Sequence, residues 1–181
     1  MSPAKRAGLG LALTGVLSLS ACGAGNVNLD PAPDAANPVC AYAMVAMPEK
    51  LVGLQQRETT AQGTTAWGEP ASVILKCGVT VQEPVSDPCA EVNGIDWVLR
   101  PKDAPAPPVS ASSSAAAGPE NRARGTWTAT TYGRTPAIEV TFDADKVSSS
   151  TLLAELNSAV KQIPSQKKCT NINDTLNGVK T

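Results

Sequence analysis

The chain contains no histidine. That absence removes the usual general base, the Ser-His and Cys-His nucleophile pairs and the commonest metal ligand. There is also no G-x-S-x-G elbow and no phosphate-binding glycine loop, so no catalytic residue and no cofactor is expected. Aromatic residues are scarce, with three Trp, two Tyr and one Phe, which leaves little material for an aromatic ligand platform. Basic residues are not in excess: 15 Lys and Arg stand against 16 Asp and Glu. The nearest basic clusters, Arg122/Arg124 and Lys167/Lys168, are short and read as solvated charge. Binding to a phosphate backbone needs clustered cations, so no nucleic-acid partner is expected.

What is present begins with an export signal. Lys5 and Arg6 precede an apolar stretch at residues 7–19, too short for the about 20 residues that span a bilayer. A basic start, a brief apolar core and then small residues form the pattern of a cleavable secretory signal. Here the small residues run into a cysteine, Leu19-Ser20-Ala21-Cys22, which resembles the bacterial lipobox. Residues 1–21 are therefore expected to be a lipoprotein signal peptide, with Cys22 the lipidation site. A diacylglyceryl-cysteine places the chain at the extracytoplasmic face of the cell membrane, with membrane lipid as its first partner. Each buried methylene contributes about 0.8 kcal/mol, so two or more acyl chains anchor stably where one exchanges. Loss of residues 1–21 removes two basic and no acidic residues, moving the net charge from −1 to −3.

Five cysteines are awkward in an oxidising compartment, but lipidation of Cys22 leaves an even four: Cys40, Cys77, Cys89 and Cys169. Four cysteines allow three pairings, which the sequence does not decide. The pairing favoured is Cys77–Cys89, around a short loop of Pro84, Ser86, Asp87 and Pro88, with Cys40–Cys169 tying the domain ends. A loop of the first kind contributes about 3 kcal/mol and one of the second nearer 5 kcal/mol by chain-entropy arguments. Structural zinc favours close C-x₂₋₄-C pairs, often with His; neither is present, and no metal is expected.

Residues 22–38 combine Pro, Ala, Asn and Asp without an apolar period and read as a flexible tether. Residues 39–169 suit a single domain. A Pro/Ala/Ser stretch at about 101–118 is a disordered surface loop within it, and residues 170–181 form a frayed tail. Strict alternation of apolar and polar residues predicts strands through Val73, Leu75, Cys77, Val79 and Val81, and through Ile95, Trp97 and Leu99. Strands at 127–132 and through Ile138, Val140 and Phe142 form a hairpin across Gly133-Arg134-Thr135-Pro136. A helix is expected from 39 to about 47, its period resuming after Pro48 through Leu51 and Leu54. A second is expected at 151–163, with Leu152, Leu156, Ala159, Val160 and Ile163 on one face and Pro164 as its stop. The fold expected is α+β: a mainly antiparallel sheet of about four strands, N- and C-terminal helices packed on one side, stapled by disulfides.

Few side chains suggest chemistry. Ser158-Ala159-Val160-Lys161 fits the S-x-x-K pattern of penicillin-interacting enzymes, but without S-D-N or K-T-G partners. Asp143 and Asp145 lack the later glycine and glutamate of an EF-hand loop and read as turn or helix-entry residues. The tryptophans read as core volume, Trp67 being the one expected to be partly exposed. A candidate binding surface joins Trp67 to Tyr132 and Arg134 on the hairpin turn, since an aromatic beside a guanidinium suits carboxylates, phosphates or sugars. A simpler reading has Arg134 merely solvating the turn.

Taken together, Cys40, Met47-Pro48, Ala66-Trp67-Gly68-x-Pro70, Leu75-Lys76-Cys77-Gly78-Val79, Gly94-Ile95-Asp96-Trp97 and Thr131-Tyr132-Gly133-Arg134-x-Pro136, followed by a closing helix, resemble the actinobacterial family known as domain of unknown function 3515. The resemblance covers about residues 39–163. It implies an envelope protein of high-GC Gram-positive bacteria and carries no functional residues with it. The function expected is a membrane-anchored cell-envelope lipoprotein acting as a non-enzymatic binding or accessory module, its partner an envelope protein or cell-wall polymer. The alternative is a cell-envelope hydrolase or transferase using carboxylates or Ser158/Lys161.

Overall fold

The computed structural model describes residues 25–81, 87–102 and 124–169. The expected signal peptide, Cys22, the core of the 101–118 loop and the 170–181 tail lie outside the described residues. Helix α1 (Pro38–Val45) starts where Asn37 accepts the Val39 N–H through its side-chain oxygen at 3.0 Å. Pro38 follows at the first helical position, where its missing N–H costs nothing. Strands β1 (Lys50–Leu51), β2 (Leu54–Arg57), β3 (Thr64–Trp67) and β4 (Val73–Val79) follow as an antiparallel meander. A second meander comprises β5 (Cys89–Val92), β6 (Ile95–Pro101), β7 (Thr126–Thr131) and β8 (Ala137–Asp143). β4 pairs with β8, so the two meanders fuse into one eight-stranded antiparallel sheet of order β1-β2-β3-β4-β8-β7-β6-β5. Helices α2 (Ser149–Glu155) and α3 (Asn157–Val160) follow as the last elements among the described residues.

The expected sheet of about four strands flanked by terminal helices is thus corrected to eight strands with only short helices. The alternation through 73–79, 95–101, 126–131 and 137–143 marks four neighbouring strands of it, β4, β8, β7 and β6. The stretch after Pro48, expected to resume a helix, is instead a hairpin. Its turn residues Val52 (φ 46°) and Gly53 (φ 83°) are both left-handed, as a two-residue turn of this twist requires. The Asn93-Gly94 pair closes the β5–β6 hairpin in the same way. The expected 151–163 helix breaks at Leu156 into α2 and α3, although Leu152, Leu156, Ala159, Val160 and Ile163 are all buried.

Register explains the core. On the inner face Trp67, Val73, Phe142 and Trp127 align across four strands, and Thr65, Leu75, Val140, Ala129 and Leu99 align across five. The helices close over this face with Cys40, Ala43, Leu152, Leu153, Ala159 and Val160. The outer face carries Ile74, Thr141, Thr128 and Arg100 in register. Successive strand residues point to opposite faces, so the whole division follows from one pairing register.

Two disulfides are present, but the favoured pairing is corrected. Cys40 joins Cys77 (Cα–Cα 5.8 Å), fastening α1 to β4, and Cys89 joins Cys169 (6.4 Å), fastening edge strand β5 to the C-terminal segment. Cys77 and Cys89 do not meet, because β8, β7 and β6 lie between β4 and β5, a separation of about 19 Å at the usual strand spacing. Residues 25–37, expected as flexible tether, lie against the domain. Val27 bridges to Thr59, Asp34 N–H donates to the Gly78 carbonyl at 2.9 Å, and Ala32 and Ala35 are buried.

Candidate functional site

A cleft of about 300 Å³ opens beside the β7–β8 turn. One wall is the turn itself, Gly133-Arg134-Thr135-Pro136, and the other is the end of β4 with the residues after it, Val79, Thr80 and Val81; Asp34, Gln166 and Lys167 complete it. The sequence dictates the turn closely. Gly133 has φ +68°, and a side chain there would strike the Lys167 backbone. The C-terminal segment passes directly over the turn: Gln166 N–H donates to the Gly133 carbonyl at 2.6 Å, and Ser165 bridges to Arg134. Under this strap the Arg134 side chain turns inward. The residue is 8 % exposed, and its Nη1 donates to the Ile163 carbonyl.

Arg134 is the unusual group. Buried guanidinium groups are normally paired and fully hydrogen-bonded. Here Nε is buried with no acceptor among the described residues, and no described carboxylate forms an ion pair with it. Burial lowers its pKa, offset in part by the field of Asp96, yet a guanidinium remains charged throughout the physiological range. On the far wall, Asp34 accepts the Asn37 side-chain N–H at 2.9 Å. The cleft therefore presents a buried cation and an acidic side chain around a partly apolar pocket.

Over residues 9–168 the chain matches a family described as a protein of unknown function (DUF3515). It belongs to that family. No curated protein and no solved structure matches it.

The structure of this DUF3515 chain does not bring the three expected surface residues together. Trp67 is fully buried, its indole N–H donating to the Pro48 carbonyl at 3.0 Å; its expected partial exposure is corrected. Trp67 pairs with Val73 at one end of β4, whereas Val79 pairs with Ala137 beside the turn at the other. Six residues of strand separate them, about 20 Å. Tyr132 is half-buried on the turn, its N–H bonded to the Asp96 carbonyl at 2.8 Å. Arg134 neither solvates the turn nor lies on a surface. Asp34, Thr80 and Gln166, which complete the cleft, carry no motif. They meet only because residues distant in sequence converge on the turn.

Other candidate groups of this DUF3515 member fall elsewhere. Ser158 is exposed on α3 and Lys161 is exposed at its C-terminal cap, and the Ser158 carbonyl accepts from the Gln162 side chain at 3.3 Å. Asp143 and Asp145 organise the turn after β8: Asp143 accepts the Asp145 N–H at 3.0 Å, and Asp145 accepts the Gly125 N–H at 2.9 Å. Cys89, Asp96 and Cys169 converge within 4.8 Å, but the two sulfurs are bonded to each other, which consumes the thiolates a metal would need. Asp96 instead accepts the Cys169 N–H at 3.2 Å. A second, smaller pocket of about 180 Å³ on the outer face is lined by Arg100 and Glu139. There Arg100 is already paired with Asp87, which raises its pKa.

Proposed function

We propose that this chain is a lipoprotein of the actinobacterial cell envelope, held at the extracytoplasmic face of the cell membrane by a diacylglyceryl group on Cys22. Its domain acts as a binding or accessory module for an envelope protein or cell-wall polymer. The observation that carries the reading is the cysteine inventory. Cys40, Cys77, Cys89 and Cys169 pair among themselves, which leaves Cys22 single, immediately after a short apolar stretch and the small residues Ser20 and Ala21.

The packing of residues 25–37 sharpens the picture. Arg57 donates through Nη2 to the Gly25 carbonyl, and only Gly23 and Ala24 intervene between Cys22 and that point. Such a leash is at most about 10 Å long, so the domain sits against the membrane surface rather than swinging above it. Binding is favoured over catalysis by the exposure of Ser158 on a four-residue helix and of Lys161 at its C-terminal cap, and by a cleft whose buried polar group is a guanidinium rather than a nucleophile and base.

Crosslinking in intact cells, with recovery of the lipidated protein, tests the module reading. Repeated capture of one envelope component supports it. Turnover of a peptidoglycan fragment, or acylation by a labelled β-lactam that Ser158→Ala abolishes, overturns it in favour of an enzyme.

A further inference from the structure

We infer that helix α1 lies against the lipid surface, with Tyr42 and Val45 in the interface, and so orients the anchored domain. This deepens the lipoprotein reading and rests on its anchor at Cys22. α1 reads Pro-Val-Cys-Ala-Tyr-Ala-Met-Val, without a charged or amide side chain. A helix that is apolar on every side is normally enclosed. Cys40 and Ala43 do face the core, but Tyr42 is 67 % and Val45 88 % exposed, and these are the large apolar side chains left exposed among the described residues. Ala41 and Ala46 extend the patch into an open recess of about 440 Å³ bordered by Gln162. Covering such a patch is favourable wherever an apolar phase meets it.

The anchor brings that phase to one end of the domain. α1 runs from Cys40, bonded to Cys77 near the end of β4, towards Pro48, whose carbonyl accepts the Trp67 indole N–H at the end of β3. There the Arg57 guanidinium donates to the carbonyls of both Gly68 (3.1 Å) and Gly25 (2.5 Å). The last turn of α1 and the root of the leash to Cys22 therefore share the Trp67–Gly68 end of the sheet. Three residues reach at most about 10 Å, so the bilayer surface lies at that end. Charge does not hold it off: Glu69 is paired with Arg57, and Lys50 follows Glu49. A tyrosine ring with its hydroxyl suits the headgroup boundary, and an apolar patch beside a lipid chain supplies the second of two membrane signals. The Arg134 cleft, at the opposite end of β4, is then held away from the membrane.

The lipidated full chain in phosphatidylcholine vesicles and the Cys22→Ala chain in solution are iodinated by a water-borne peroxidase, and label at the chain's two tyrosines is read by mass spectrometry. Tyr132, on the β7–β8 turn at the far end of the sheet, is the internal reference. The Tyr42-to-Tyr132 ratio is expected to fall about tenfold on vesicles and to stay there as the protein is diluted with lipid. Val45→Trp, at an exposed position, is expected to add a fluorescence component that acyl chains brominated near the glycerol quench, over a wild-type chain whose three tryptophans are buried or half-buried. An unchanged ratio, or protection of Tyr132 in place of Tyr42, overturns the inference and leaves the anchor standing. Protection that fades on dilution assigns the patch to a second copy of the chain and overturns it too, as does a Val45→Trp signal that brominated lipid leaves untouched. A mature chain without diacylglycerol overturns both the inference and the anchor.

Discussion

The backbone N–H of Val52 donates to the carboxylate of Glu155 at 2.7 Å across 103 residues of sequence. Two residues further along, the Asn157 side chain donates to the Asn93 carbonyl at 2.9 Å. Val52 turns the hairpin at one edge of the sheet and Asn93 turns the hairpin at the other. Two positions on the C-terminal helices, Glu155 and Asn157, therefore hold both sheet edges, and the sheet must curl around the helical layer for them to do so. Curling also draws the exposed edges in, which limits edge-to-edge association. Glu155→Ala is expected to cost about 1 kcal/mol, the net worth of an exposed hydrogen bond to a charge. Glu155→Gln, which keeps an acceptor, is expected to cost less, as read by urea denaturation.

Gly78 and Gly94 both sit at strongly positive φ, +95° and +82°, but only Gly78 has a neighbour where a side chain would go. Gly94→Ala is expected to cost about 1–2 kcal/mol, the left-handed penalty alone. Gly78→Ala adds a collision with the Asp34 backbone and is expected to cost clearly more. Equal melting shifts for the two variants would mean that the 25–37 segment does not pack on β4 as described.

Trp67→Ala is expected to destabilise the domain by about 3–5 kcal/mol, as a large buried truncation does, because the ring lies wholly in the core against Val73. A loss of ligand binding with unchanged stability would instead place Trp67 on a contact surface.

Removing either disulfide is expected to cost about 4 kcal/mol from the chain entropy of its loop, since the bridged residues lie 37 and 80 positions apart. Non-reducing peptide mapping checks the pairing directly: fragments linking Cys40 to Cys77 and Cys89 to Cys169 are expected. Linked Cys77–Cys89 fragments would contradict the strand order.

Much of this fold is legible in the chain, and the failures have identifiable causes. The neighbouring strands β4, β8, β7 and β6 announce themselves by alternation, because one face packs on helices and the other does not. β3 is buried throughout its length, which erases the period. β1 and β2 are short and poor in β-formers, and Leu51 and Leu54 imitate a helical spacing across what is a two-residue turn. The Asn93-Gly94 pair was a readable hairpin signal for β5. Trp67, flanked by Gly68, Glu69 and Pro70, looks like a loop residue until β3 fixes its parity. Arg134 illustrates the deeper limit. A hairpin turn normally faces water, and nothing local to 132–136 reveals that residues 163–167 will cross it.

At Asp143 the hydrogen bond from Lys146, at 3.0 Å, is the main reason the carboxyl lies below the usual carboxylate range. A lowered folded-state value means the interaction stabilises at neutral pH and fades as the pH falls through that value. Lys146→Ala is expected to move the Asp143 midpoint upward in an NMR pH titration. An unmoved midpoint would assign the shift to the turn's backbone N–H groups instead.

The anchor is the claim on which the rest of the functional account depends. Mass spectrometry of the N-terminal peptide from membrane-purified protein tests it most directly. The account predicts a chain that begins at Cys22 and carries diacylglycerol, and a Cys22→Ala variant that leaves the membrane fraction while keeping its cooperative melt. An unmodified Cys22 on the mature protein, or a Cys22→Ala variant that remains membrane-bound after its signal is cleaved, would contradict it.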